Sequence, residues 1–103
     1  MSIDRLFATI AARKGSDPSK SYTAKLLAEG VEKCAKKFGE EATEAVIAAI
    51  QKDKTELAKE SADVLYHLLV LWAASGITPD DVYAVLKSRE AQSGLEEKAA
   101  RPK

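Results

Sequence analysis

The sequence predicts an all-α fold of four to five helices in a single domain, residues 1–103. Apolar residues recur at intervals of three and four along most of the 103-residue chain, helix-capping residues precede these segments, and no segment alternates like a strand. A chain of this length can bury about two-thirds of its unfolded surface, which allows one small core.

The first helix is predicted by apolar residues at helical spacing: Ile3, Leu6, Phe7 and Ile10. Ser2 precedes it as a candidate N-cap, and Gly15 is its predicted end. Residues 16–19, Ser-Asp-Pro-Ser, have the composition of a loop.

A long second helix is predicted over residues 21–51, where an apolar stripe runs from Ala24 to Ala49. Gly30 and Gly39 each weaken a helix by about 1 kcal/mol relative to Ala and would allow a bend. A charged turn at residues 52–54 follows.

Two further helices are marked by their first residues. Asp53 with Glu56 predicts a capping box for a third helix, which ends at Gly76. Thr78 and Pro79, followed by two acids, predict the start of a fourth. The charged tail, about residues 92–103, is either loose or a fifth helix.

Composition restricts the functional classes. The 16 basic and 16 acidic side chains cancel, so no overall field favours nucleic acid or a membrane surface, and an anionic ligand needs locally placed cations. One cysteine excludes an intramolecular disulfide, and no apolar run reaches the roughly 20 residues of a membrane span. The N-terminus lacks the pattern of a secretion signal. We therefore expect a cytoplasmic domain.

Two stretches, residues 45–50 and 64–74, are more apolar than one amphipathic face requires. A helix that is apolar on all sides is normally surrounded by other helices, and four short helices cannot easily surround both stretches. The pattern therefore predicts a homodimer whose shared bundle completes the core.

Paired carboxylates are the main chemical signal. Glu41 and Glu44 share one helical face, Glu60 and Asp63 share another, and Glu40 adjoins the first pair. Acids at the edge of a core repel one another unless a cation binds, and hard oxygen ligands suit Mg²⁺ or Mn²⁺. Spacing alone leaves a solvated acidic face about as plausible as a metal site.

Cations lie close to these acids along the second helix. Lys33 and Lys37 precede Glu41 by two turns and one turn, where they could bind phosphates bridging a metal. Ordinary ion pairs between residues four apart, Lys37 with Glu41 or Lys36 with Glu40, are the alternative. In the tail, Arg89, Ser93, Lys98 and Arg101 are weaker phosphate-binding candidates.

His67 follows Asp63 by four residues in an otherwise apolar stretch. It could orient a carboxylate or a water, although a hydrogen-bonded histidine in the core is the more ordinary interpretation. Tyr22, beside Ser21 at the start of the long helix, is a candidate for substrate contact.

Together these segments resemble a known family. Glu-Glu-x-x-Glu at 40–44 and Glu-x-x-Asp at 60–63 are similar to the motifs of the MazG-like all-α nucleoside-triphosphate pyrophosphohydrolases. Ser-Tyr-Thr at 21–23, Gly-Glu-Glu-Ala-Thr-Glu at 39–44 and Asp-Val-Leu-Tyr-His-Leu-Leu at 63–69 are more specific, and resemble the phosphoribosyl-ATP pyrophosphohydrolase family.

The resemblance implies Mg²⁺-dependent hydrolysis of 1-(5-phospho-β-D-ribosyl)-ATP to the AMP derivative and pyrophosphate, the second step of histidine biosynthesis, by a helical dimer. It implies that Glu40 is a further ligand or the base, that Lys37 contacts phosphate, and that four acids hold the metal: Glu41, Glu44, Glu60 and Asp63. Ser21, Tyr22 and the tail cations are weaker candidates for substrate binding.

The zinc-type cyclohydrolase of the next step needs several Cys or His ligands, so it is expected on a separate polypeptide.

Three other functions are alternatives to this one. A house-cleaning pyrophosphatase acting on (d)NTPs would use the same acids. A di-iron carboxylate bundle usually needs two Glu-x-x-His motifs, and this chain has one histidine. A helical interaction module offers no reason to place acids at the edge of the core.

Overall fold

The computed structural model of the chain describes residues 1–90, and in this range the protein is built from helices without strands. The five helices are α1 (Ile3–Ala11), α2 (Tyr22–Glu29), α3 (Val31–Ile50), α4 (Lys54–Ser75) and α5 (Pro79–Arg89). The predicted all-α class is confirmed, and the five helices of residues 1–90 agree with the predicted four to five, although the fifth comes from a division of the predicted second helix. The predicted tail, about residues 92–103, lies outside the described residues, whereas Arg89 is the last residue of α5.

The predicted long helix over residues 21–51 is wrong in one respect, because it is divided at Gly30. Gly30 has φ 95° and ψ 176°, and it ends α2 while beginning α3. This backbone conformation is open essentially to glycine alone, so the break needs a glycine at this position. Gly39 lies within continuous α3, so only the first of the two glycines interrupts the helix.

The observed caps explain the other helix boundaries. Ser2 Oγ accepts a hydrogen bond from Arg5 N at 3.2 Å, which confirms the predicted N-cap. α1 ends at Ala11, before the predicted end at Gly15, and turns continue to a hydrogen bond from Ser16 N to the Arg13 carbonyl.

The predicted starts of α4 and α5 are also confirmed. Asp53 Oδ1 accepts from Glu56 N at 3.0 Å, but Asp53 N donates to the Ala48 carbonyl, so the predicted box at this cap is only half formed. Thr78 and Asp81 form a complete capping box, with Pro79 at the first helical position.

α3 and α4 form a helical hairpin joined by a three-residue turn, and α1 and α2 pack against α4. The fully buried side chains that these helices share are Ile10, Leu26, Cys34, Leu69 and Val70. Cys34 Sγ donates to the Leu26 carbonyl at 3.2 Å across the Gly30 break, which ties α2 to α3. The hairpin brings the acidic segments of α3 and α4 side by side.

Several apolar side chains are exposed in the single chain. In the stretch 45–50 only Ala48 is buried, whereas Val46 is 57 % exposed and Ile50 is 75 % exposed. Leu65 on α4 is also exposed. The described helices therefore leave apolar side chains uncovered both near the hairpin turn, at Val46 and Ile50, and in the middle of α4, at Leu65.

Among residues 1–90, no helix taken singly is both long and apolar enough to cross a bilayer. Only α4 and α5 combined reach that length and hydropathy, and a 109° bend separates them.

Candidate active site

Three carboxylates meet across the hairpin. Glu41 on α3 and Glu60 and Asp63 on α4 each offer an oxygen, and these oxygens lie within 4.8 Å of one another. Glu60 and Asp63 share a face because they are three residues apart on one helix, and helix packing brings Glu41 opposite them. Glu41 and Glu60 are half-buried and Asp63 is exposed. We call Glu41, Glu60 and Asp63 the acidic cluster.

The acidic cluster holds a proton up to an unusually high pH for a carboxyl group, and is about half protonated near pH 7. The pKa of Glu60 rises from 4.5 to about 7, first because of desolvation, then because of hydrogen bonds with Glu56 and Glu41 and repulsion from Glu41 and Asp63. A hydrogen bond between two carboxyl groups requires a proton on one of them. A divalent cation would relieve the same repulsion, and three converging oxygen donors are the set that Mg²⁺ or Mn²⁺ prefers. The residues therefore fit the predicted ion.

The other two predicted acids lie on α3 outside the acidic cluster, and both are exposed. Glu40 Oε2 is 3.5 Å from Lys37 Nζ. Glu44 lies three residues after Glu41, at the outer edge of the same face. The sequence did not single out Glu56 for this site, although its spacing, four residues before Glu60, was a usable signal.

The predicted phosphate-binding cations differ in burial and lie on different helices. The Lys37 side chain is partly buried and pairs with Glu40, three residues on, rather than with Glu41. Lys33 is exposed one turn earlier. Arg89 lies at the end of α5, where it lines a groove with Val85 and Leu86. Ser93, Lys98 and Arg101 lie outside the described residues.

Ser21 and Tyr22 stand where α2 begins. Ser21 Oγ accepts a hydrogen bond from Ala24 N at 3.1 Å, so Ser21 is the N-cap of α2, a role not predicted for it. Tyr22 is 51 % exposed, and its ring meets the His67 ring edge-on at a centroid distance of 6.2 Å. The start of α2 therefore lies next to His67.

His67 is buried, at 6 % exposure, as the interpretation of a core histidine requires. Its Nδ1 nevertheless has no hydrogen-bond partner in the described part of the chain, so the expectation of a hydrogen-bonded core histidine is wrong in that respect. Burial lowers the pKa of His67, and the negative charge of Glu41 is the largest influence that opposes this shift. Tyr66, edge-on to His67, forms a hydrogen bond with Thr23 that the sequence could not predict across 43 positions.

The chain matches the family model described as phosphoribosyl-ATP pyrophosphohydrolase over residues 3–90. It is 64% identical over 99 residues to a phosphoribosyl-ATP pyrophosphatase of Parvibaculum lavamentivorans, covering 96% of this chain and 91% of the relative. For the relative of the same name from Cereibacter sphaeroides (strain ATCC 17029), the identity is 61%, with 96% of each chain covered. The Gluconobacter oxydans relative of that name is 54% identical, with 98% of this chain and 76% of the relative covered. The chain thus belongs to the phosphoribosyl-ATP pyrophosphohydrolase family.

Proposed function

We propose that this protein hydrolyses 1-(5-phospho-β-D-ribosyl)-ATP to 1-(5-phosphoribosyl)-AMP and pyrophosphate, the second step of histidine biosynthesis, in an Mg²⁺-dependent reaction. The observation that carries the proposal is the convergence of the Glu41, Glu60 and Asp63 oxygens within 4.8 Å, in a chain of this family. The substrate is the one that the names of the relatives indicate.

The acidic cluster would hold the metal, with Mn²⁺ as a possible substitute, and Glu44 would complete the ligand set at its outer edge. When bound, the ion neutralises phosphate charge and acidifies water. Glu40 is exposed beside the cluster, where it can add a ligand or accept a proton from water.

Cationic side chains would bind the phosphate chain. Lys37 is the main candidate, because it lies one turn before Glu41 and is only partly buried. Lys33 lies one turn before Lys37 on α3 and could bind the same phosphate chain. Ser21 and Tyr22 are weaker candidates, and so are Arg89 and Lys98.

The reaction is a displacement at phosphorus. A water oxygen forms a bond to the α-phosphorus, the bond from that phosphorus to the α–β bridging oxygen breaks, and pyrophosphate leaves with the electron pair. The water gives up its proton to a carboxylate. Positioning and charge neutralisation supply most of the rate enhancement in such reactions.

A homodimer is part of the proposal. The exposed apolar side chains Val46, Ile50 and Leu65 would be covered by a second copy. We also propose that the enzyme is cytoplasmic, that it binds neither nucleic acid nor membrane, and that the cyclohydrolase acting next is a separate polypeptide.

The test measures pyrophosphate release from phosphoribosyl-ATP, ATP and dNTPs, each with Mg²⁺ and with EDTA. We expect turnover of phosphoribosyl-ATP only, abolished by EDTA. Equal or greater activity on dNTPs would instead indicate a house-cleaning pyrophosphatase, and turnover in EDTA would exclude the metal mechanism. Asp63→Asn should lose activity, whereas Glu32→Gln, an exposed acid in the first turn of α3, is the matched control.

A further inference from the structure

His67 has a polar atom that its surroundings do not satisfy. The side chain is 6 % exposed and Nδ1 is buried, without a hydrogen-bond partner among residues 1–90. Buried polar atoms are paired in the great majority of cases, and an exception requires an explanation. Packing alone does not supply one, because an apolar ring would fill the same space without an unpaired nitrogen.

Two tyrosines hold the imidazole ring in place. The Tyr66 and His67 centroids are 5.0 Å apart with planes at 79°, and Tyr22 meets the other side at 6.2 Å and 89°. The Tyr66 hydroxyl is hydrogen-bonded to Thr23 Oγ1, which connects α4 to α2. The ring is therefore a fixed donor or acceptor rather than a freely rotating one.

The ring is fixed next to the acidic cluster. His67 follows Asp63 by four residues, so the two share a face of α4. Across the hairpin, Glu41, Lys37 and Glu40 act electrostatically on the imidazole, and Glu41 has the largest effect of the charged groups. Burial favours the neutral ring, in which one nitrogen carries a hydrogen and can donate it.

We propose that His67 is a positioning residue for Glu41: Nδ1–H donates a hydrogen bond to the Glu41 carboxylate oxygen that does not face the metal. Carboxylates that ligate metals are commonly oriented in this way by neighbouring donors, and loss of such a donor costs about 10- to 100-fold in metal affinity. The inference rests on the metal site of the proposed function.

Substitutions can identify which ring atom is needed. His67→Asn keeps an amide at the position of Nδ1, His67→Gln places the amide near Nε2, and His67→Phe keeps only the aromatic packing. We expect His67→Asn to retain most of the Mg²⁺ affinity measured by calorimetry. His67→Gln and His67→Phe should lose about tenfold or more.

The kinetic pattern separates positioning from stability. The KM for Mg²⁺ should rise in His67→Phe, while circular dichroism shows unchanged helix content. Equal Mg²⁺ affinity in His67→Phe and the wild-type protein would overturn the proposal. Equal losses in all three variants would also overturn it, because only packing would then matter.

A measurement on the unmutated protein avoids the question of folding. The chain has one histidine, so ¹⁵N-histidine labelling gives one pair of imidazole signals. Titration with MgCl₂ should shift the Nδ1 signal in the direction of a stronger donated hydrogen bond. Mg²⁺ binding without such a shift would remove His67 from the site but leave the metal proposal intact.

The same titration separates the two proposals. If calorimetry detects no Mg²⁺ binding to the wild-type protein, the metal site and the role of His67 both fail. If Mg²⁺ binds and shifts Nδ1, but phosphoribosyl-ATP is not hydrolysed, only the assignment of the substrate fails.

Discussion

At the scale of single residues, Glu60 determines how the acidic cluster responds to pH. Because its pKa is about 7, a proton occupies the cluster below about pH 7, at the oxygens where a cation would otherwise lie. The proton and the cation therefore compete for the same oxygens, and folding, metal binding and pH are linked.

The first prediction concerns the protein in EDTA. Its free energy of unfolding should fall as the pH rises from about 4.5 to about 7, because in this window the folded state binds more protons than the unfolded state. Glu60→Gln should flatten this dependence and be more stable than the wild-type protein above about pH 7. Urea titrations at several pH values measure the effect. Glu32→Gln is the control, and a wild-type stability that rises across the window would contradict the prediction.

The second prediction adds Mg²⁺. Since the ion displaces the Glu60 proton, the apparent Mg²⁺ affinity should increase as the pH rises through about 7. Thermal unfolding with and without MgCl₂ should therefore show a larger stabilisation at about pH 8 than at about pH 5.5. Glu60→Gln should lose most of this difference. A stabilisation that is independent of pH would place the ion elsewhere.

The third prediction tests Glu44, which is exposed and lies outside the acidic cluster. If Glu44 completes the ligand set, Glu44→Gln should abolish turnover while circular dichroism and the oligomeric state stay unchanged. Thr43→Ala, a neighbouring exposed position on α3, is the control. Retained activity in Glu44→Gln would remove Glu44 from the site.

At the scale of helices, the break at Gly30 determines where α2 lies. It allows Tyr22 and Thr23 to reach α4, where they meet His67 and Tyr66. A continuous helix over residues 21–51 would carry these side chains away from the site. The break is thus a structural requirement for the surroundings of the acidic cluster.

The fourth prediction compares the two glycines. A Cβ at Gly30 or Gly39 meets nothing within 4 Å, so any difference between them comes from the backbone. Gly30→Ala should destabilise the protein by about 1–3 kcal/mol because φ is 95°. Gly39→Ala, within a regular helix, should stabilise it by up to about 1 kcal/mol. Urea denaturation measures both, and a neutral Gly30→Ala would show that the break is not needed.

At the scale of the whole molecule, the described helices leave apolar side chains uncovered. Val46 and Ile50 lie one turn apart on α3, and both are mostly exposed in the single chain. A substitution at so exposed a position usually changes stability by less than about 0.5 kcal/mol. A large effect of a substitution at Ile50 would therefore indicate that a second copy of the chain covers this side chain.

The fifth prediction is that Ile50→Glu dissociates the dimer. A buried charge at an apolar interface is costly, whereas the same charge on a free surface is not. Analytical ultracentrifugation should show a dimer for the wild-type protein and a monomer for Ile50→Glu. Ser16→Glu, in the exposed α1–α2 loop, should remain dimeric. A wild-type monomer would rule out the shared bundle.

The helices and their caps were predictable because they depend on local chemistry. The side chains of Ser2, Asp53 and Thr78 each accept a hydrogen bond from a backbone N–H three residues later. Because these bonds are local, the sequence pattern is enough to predict them. The pairing of Glu60 with Asp63 was predictable for the same reason. The break at Gly30 was less certain, because the sequence shows two glycines and only the tertiary fold selects between them.

The sequence by itself determined the all-α class, the starts of α1, α4 and α5, the acids of the site and the family to which their motifs belong. Only the tertiary structure decided that Glu41 joins Glu60 and Asp63 while Glu40 and Glu44 remain outside. It also placed Tyr22 against His67 and left His67 Nδ1 unpaired. The physical reason is range: capping and helical spacing act within four residues, whereas these contacts depend on how separate helices pack.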